Sequence, residues 1–179
     1  MARISNTSAY PNLVTPVASD YLILTDEDAN LMTKSCTLGA VQSLFGVDTL
    51  VAHVEVSSGR LLTLPAQSID LIAAPGANKV LSIMNISLYM DVGSQQYDFN
   101  QISPIGTTTG TQISAVPFNT VGNGFNAAAD TVTNLPVQTT ATMGVNEPLV
   151  LSNNGAVTQG TGVAYFNILY RVLTVGTTF

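Results

Sequence analysis

Two long runs in which side chains alternate in character with period two constrain this chain more than any other feature. In residues 79–92, Val80, Ser82, Met84, Ile86, Leu88 and Met90 form one almost wholly apolar face. Leu81, Ile83, Asn85, Ser87, Tyr89 and Asp91 form the other, which turns polar halfway along. Residues 163–175 behave alike: Ala164, Phe166, Ile168, Tyr170 and Val172 face one way, while Asn167 and Arg171 interrupt the other. A helix repeats every 3.6 residues and cannot display this pattern, so both runs predict strands. The first of them reaches from a core towards a rim.

Shorter runs at 49–56, 61–64, 69–74, 112–118 and 131–135 also predict strands, with glycine, proline and asparagine punctuation between them. Many strands without long intervening helices indicate an all-β fold, an antiparallel β-sandwich or jelly roll. Residues 1–20 carry Pro11 and Pro16 among small polar residues and read as an extended N-terminal arm. Residues 21–25 and 31–36 flank the turn-like 26–30 and predict a small hairpin. Thr37 is a candidate N-cap for a short helix over 37–46 that ends at Gly46, with Leu38, Val41, Leu44 and Phe45 at helical spacing. A hairpin and one helix enclose no core, so this appendage must pack on its own domain, a symmetry mate or another protein. The expected organisation is therefore an arm, hairpin and helix over 1–47 and a sandwich body over 48–179. Within the body, 103–147 is rich in Gly, Thr, Asn and Pro and is expected to protrude as a loop-rich excursion. No repeat with a period of 20–50 residues is visible.

Composition narrows the function classes. Of the 179 residues, 46% are hydrophobic and only 9% charged, whereas an average soluble domain has roughly 25% charged residues. The 22 Thr, 14 Ser, 14 Asn and 8 Gln outnumber the 16 charged residues, so hydroxyls and amides must build most of the polar surface. The net charge of −6 and the absence of any basic run argue against binding a phosphate backbone. No apolar stretch approaches the ~20 residues of a membrane helix, and the first residues lack a signal-peptide core, so no membrane partner is expected. The single cysteine, Cys36, supports neither an internal disulfide nor a cysteine-cluster metal site and reads as a small apolar residue beside the hairpin.

The search for reaction chemistry assigns no catalytic, cofactor-binding or metal-ligating residue. Asp26, Asp28 and Asn30 match the first three ligand positions of a calcium loop, but the required glycine is Leu31 and the closing glutamate is Thr37. The one histidine, His53, shares a strand face with Val51 and Glu55, opposite Ala52, Val54 and Val56, which makes it a solvent-side or interface residue. No nucleophile elbow accompanies it. The acids are sparse and dispersed and tryptophan is absent, which disfavours a glycosidase. Gly122-Asn123-Gly124 lies without a strand–turn–helix context, and Pro75-Gly76-Ala77-Asn78-Lys79 lacks phosphate-loop spacing; both are turn chemistry, with glycine supplying positive φ.

Residues 20–41, DYLILTDEDANLMTKSCTLGAV, resemble a segment found near the N-termini of many tailed-phage virion proteins, including fibres and decoration proteins. Residues 71–81, LIAAPGANKVL, with the later 91–97, DVGSQQY, look like a pattern of small phage structural proteins, and 148–154 with 168–172 are similar to the close of the same type. The resemblance implies a capsid decoration, or cement, protein of a tailed bacteriophage, with a β-sandwich or jelly-roll body. It further implies a non-enzymatic homotrimer that binds the major capsid protein and bridges neighbouring subunits. Such a chain is assembled in the host cytoplasm and resides on the capsid surface of the virion. A phage fibre or adsorption protein that binds a host surface receptor is the alternative. Weak contacts repeated around a trimer add up by multivalency, and the uncharged arm, with Ile4, Tyr10, Leu13, Val14 and Val17, suits strand addition to a capsid sheet.

Overall fold

The computed structural model describes residues 21–26, 32–39, 41, 49–117, 124–138 and 140–176. The chain divides into two compact units, Met1–Asp48 and Thr49–Phe179.

In the first unit, β1 (Tyr21–Asp26) and β2 (Met32–Thr37) pair antiparallel from Tyr21 opposite Thr37 to Asp26 opposite Met32. Tyr21, Ile23, Thr25, Thr33 and Thr37 supply the aromatic and β-branched residues that suit an extended backbone. Leu38, Gly39 and Val41 are helical. The arm over 1–20, most of the turn at 26–30 and the rest of the helix expected over 37–46 lie outside the described residues.

Among the described residues the second unit contains eight strands. These are β3 (Thr49–Val56), β4 (Ile69–Ile72), β5 (Lys79–Asp91), β6 (Ser103–Gly106), β7 (Gln112–Val116), β8 (Thr131–Leu135), β9 (Leu149–Leu151) and β10 (Val163–Thr174). They form two four-stranded antiparallel sheets, ordered β3-β10-β5-β8 and β4-β9-β6-β7. One apolar cluster draws on both: Val56, Ile86, Leu88, Met90, Leu135, Phe166 and Ile168 from the first sheet, and Ile69, Ile105, Ile113, Val116, Leu149 and Leu151 from the second. The body is thus an all-β sandwich. Its pairing is nested, since β3 pairs with β10, β4 with β9, β5 with β8 and β6 with β7.

A file of aromatic rings crosses the core from Tyr97 through Phe99 and Phe125 to Phe166, with centroids 5.7, 4.7 and 6.3 Å apart. Asparagine amides close the loops around it. Asn126 accepts from the Phe99 N–H at 3.0 Å and donates to the Phe99 carbonyl at 2.7 Å, imitating a strand partner. Asn153, 2% exposed, donates to Ser103 Oγ at 2.8 Å.

Three expectations need correction. Residues 61–64 are not a strand: α1 (Ser58–Thr63) is helical, and Leu61 and Leu64, three apart, are both buried on its inner side. Ser57 before the helix and Pro65 after it are ordinary boundary signals. The alternation of 79–92 is also not continuous. Leu169 pairs with Asn85 and Tyr170 with Ile83, so Met84 is an extra residue that forms a β-bulge. The bulge flips the buried set from Leu81 on one parity to Ile86, Leu88 and Met90 on the other. Finally, the described residues of 103–147 are not a loop-rich excursion. They supply β6, β7 and β8 to both sheets and place Ile105, Ile113, Val116, Phe125 and Leu135 in the core.

Candidate interaction surface

The side of the first sheet turned away from the core carries the most distinctive surface on the body. Strand register arranges it in rows. Glu55, Tyr165, Tyr89 and Val132 lie side by side across β3, β10, β5 and β8, and the next row holds His53, Asn167, Ser87 and Asn134. Val51 opposes Leu169, which opposes Asn85, in a third row. Large apolar groups are open to solvent here: Val132 is 70% exposed, Val51 50%, Tyr89 39% and Tyr165 38%. Ordinarily the outer face of a half-buried sheet is polar.

The Tyr89 and Tyr165 rings stack across β5 and β10, with centroids 5.8 Å apart and planes 23° from parallel. The Tyr89 hydroxyl donates to Asp130 Oδ2 at 3.4 Å, while Asp130 Oδ1 accepts the Val92 N–H at 2.8 Å and so holds the carboxylate in place. Partial burial, followed by the nearby Asp130 and Asp91 carboxylates, pushes the Tyr89 hydroxyl above its ordinary range and keeps it a hydrogen-bond donor. A depression of about 440 Å³ opens over the pair, lined also by His53, Glu55, Ser87, Val132 and Asn167. It combines aromatic rings, an imidazole, a carboxylate and an amide, a mixture suited to non-covalent recognition.

The other residues singled out by sequence lie elsewhere. His53 is exposed beside Val51 and Glu55, as the alternation predicts. Cys36 is half-buried in the first unit, on β2 opposite Leu22. Asp26 ends β1, and Asp28 and Asn30 lie outside the described residues. In the 75–79 turn Gly76 has φ 100° and Asn78 φ 59°, and the Lys79 N–H closes on the Gly76 carbonyl at 3.2 Å. Gly124 begins a short 3₁₀ turn, whereas Gly122 and Asn123 lie outside the described residues. Among the described residues no group of three or more His, Cys, Asp and Glu side chains could hold a metal ion. No helix among them is long and apolar enough to cross a membrane.

Sequence reasoning placed His53 on this face but missed Tyr89, Tyr165, Val132 and Asp130. The only signal was parity: Tyr89 and Tyr165 each fall opposite the apolar set of their strand. That β10 inserts between β3 and β5 is a long-range fact no local pattern encodes. Comparison with protein-family models, with curated proteins and with solved structures gave no match.

Proposed function

We propose that this chain is a non-enzymatic structural protein of a tailed-phage virion, one that decorates the capsid and stabilises it by bridging neighbouring capsid subunits as a homotrimer. The observation that carries the reading is the outer face of the first sheet. It presents Val51, Tyr89, Val132 and Tyr165 together, with His53, Glu55, Asp91 and Asp130 among the ionisable groups near them. Interface cores are depleted in charge and enriched in aromatic residues, and tyrosine brings large contact area at low entropic cost. The low overall charge fits a protein that spends much of its surface on contacts. The nested strand order fits a jelly roll, an architecture common in viral capsid domains. The resemblance of residues 20–41 and 71–81 to virion proteins points the same way.

A second reading, a fibre or adsorption protein, draws on the depression over the tyrosine pair, whose ringed polar groups would equally suit a receptor ligand. Copy number in purified particles separates the two, measured by quantitative mass spectrometry against the major capsid protein. About one copy per capsid subunit supports decoration. A few copies per particle support the fibre reading, and absence from particles overturns both.

A further inference from the structure

We infer that the cleft beside the first half of β5 is a strand-addition site, which takes an extended, uncharged segment of another protein, about five or six residues long, as an additional strand. β5 is bordered by β10 along its whole length, but its other edge is bordered by β8 only from Ile86, opposite Leu135, to Met90. Beyond Leu135 the chain is drawn to the other sheet: the Pro136 carbonyl accepts from Ser114 Oγ at 2.8 Å, and the Gln138 N–H donates to the Ile113 carbonyl at 2.8 Å. Among the described residues no strand takes the place where β8 would continue. A cleft of about 490 Å³ occupies it, floored by the edge of β5 over 80–84.

Hydrogen-bond phase shows which backbone groups point into the cleft. The Val175 N–H donates to the Asn78 carbonyl at 2.8 Å. Alternate residues of an antiparallel strand bond to the same neighbour, so Val80 and Ser82 also address β10, and Lys79, Leu81 and Ile83 address the opposite side. The Lys79 carbonyl does so, accepting the Asn146 N–H at 2.8 Å. Leu81 and Ile83 follow, and neither has a ladder partner there among the described residues. Leu81 is only 3% exposed, and a backbone donor or acceptor in so apolar a setting is costly to leave unpaired. An extended peptide answers all four groups at once.

The walls define the chemistry of the occupant. Ile113, Val137, Ala141 and Met143 are apolar, Gln138 and Thr142 are neutral, and among the described residues no ionisable side chain lines the cleft. Exposed edges in natural sheets are commonly blocked by charge or proline, and 80–85 has neither. The gap between the Asn146 contact and the start of β8 pairing is Val80 to Asn85, about 20 Å at ~3.3 Å per residue. The incoming strand must accordingly be uncharged, free of internal proline and short.

The test uses the full chain, isotope-labelled, with a capped heptapeptide of alternating threonine and valine; a control peptide carries proline at its centre. Amide exchange of Leu81 and Ile83 is expected to slow at least tenfold at saturating peptide, with no effect from the control. Thr142→Trp, which fills the cleft from an exposed position, should abolish the slowing, and Gln138→Trp serves if that variant does not fold. The inference is overturned by unchanged exchange at millimolar peptide, or by protection confined to another edge. It is also overturned by slowing that depends on protein concentration alone, since the occupant is then a second copy. None of these outcomes bears on copy number in particles, so this inference and the decoration reading fail separately.

Discussion

Asn78 holds a left-handed backbone at φ 59°, two residues after Gly76 at φ 100°. Asparagine is the non-glycine residue that best tolerates this region, because its short amide can bond locally. Replacing it with valine is expected to destabilise the body by about 1–2 kcal/mol, and Asn78→Gly should be close to neutral; urea titrations of both variants check this. Tyr97 provides a second single-residue test. Its ring is packed against Gly160, where an added Cβ would sit 2.1 Å from the ring, and its hydroxyl donates to the Gly162 carbonyl at 2.7 Å. Burial pushes that hydroxyl up to about 12 from its ordinary 10.0. Below the ordinary value both folded and unfolded chains keep the proton. Between about 10 and 12 the unfolded chain releases it and the folded chain does not, so stability falls as pH rises through this window. Tyr97→Phe should remove that component of the slope and cost about 1 kcal/mol near neutrality, as read from melting curves at a series of pH values. In acid the sign reverses for Asp98. The Thr158 hydroxyl, aided by the backbone N–H groups of Thr158 and Gln159, holds its carboxyl below the usual range, and this stabilisation is lost as pH falls through the lowered value.

Elements were legible to the degree that they repeat a pattern over enough residues. β8 was readable from Thr131 to Leu135 because it opens on three consecutive β-branched residues, Thr131, Val132 and Thr133, and β5 and β10 because they are long. α1 was not, since four consecutive residues, Leu61-Leu62-Thr63-Leu64, satisfy a helical and an extended period equally well. Burial of both Leu61 and Leu64 decides for the helix. Leu61→Ala is expected to cost about 2–5 kcal/mol, whereas Leu62→Ala, at a partly buried position, should cost less; thermal denaturation compares them. β6 was hidden by Pro104, a residue central strands exclude. It is tolerated because, although Pro104 pairs with Ala115 of β7, on the β9 side it lies just beyond the paired residues Ile105 and Gly106, where its carbonyl still accepts the Ser152 N–H at 3.0 Å and only the missing N–H goes unused. β9 spans three residues, Leu149–Leu151, too few for any period to show. The bulge at Met84 is invisible locally because methionine suits either face, and only the register with β10 reveals it.

At the scale of the molecule, the outer face of the first sheet could not be read from sequence because its rows join residues about a hundred positions apart, such as Glu55 and Tyr165. Its energetics are testable. Tyr89→Ala together with Tyr165→Ala removes two exposed rings and no core contact, so folding should persist; under the proposed decoration role, occupancy of particles in a reconstitution assay should drop at least tenfold. Unchanged occupancy would move the docking surface elsewhere. The nested pairing has a mechanical corollary. Thr49, where the chain enters the body, lies opposite Arg171, close to the last residue of β10. Tension applied through both ends of the body would load the β3·β10 ladder from one end, opening its hydrogen bonds one after another as a zipper opens. The same ladder pulled through Val56 and Thr174 would be sheared, with all its bonds sharing the load. A pulling experiment should therefore find the body weak along its natural chain ends and markedly stronger when it is pulled through Val56 and Thr174.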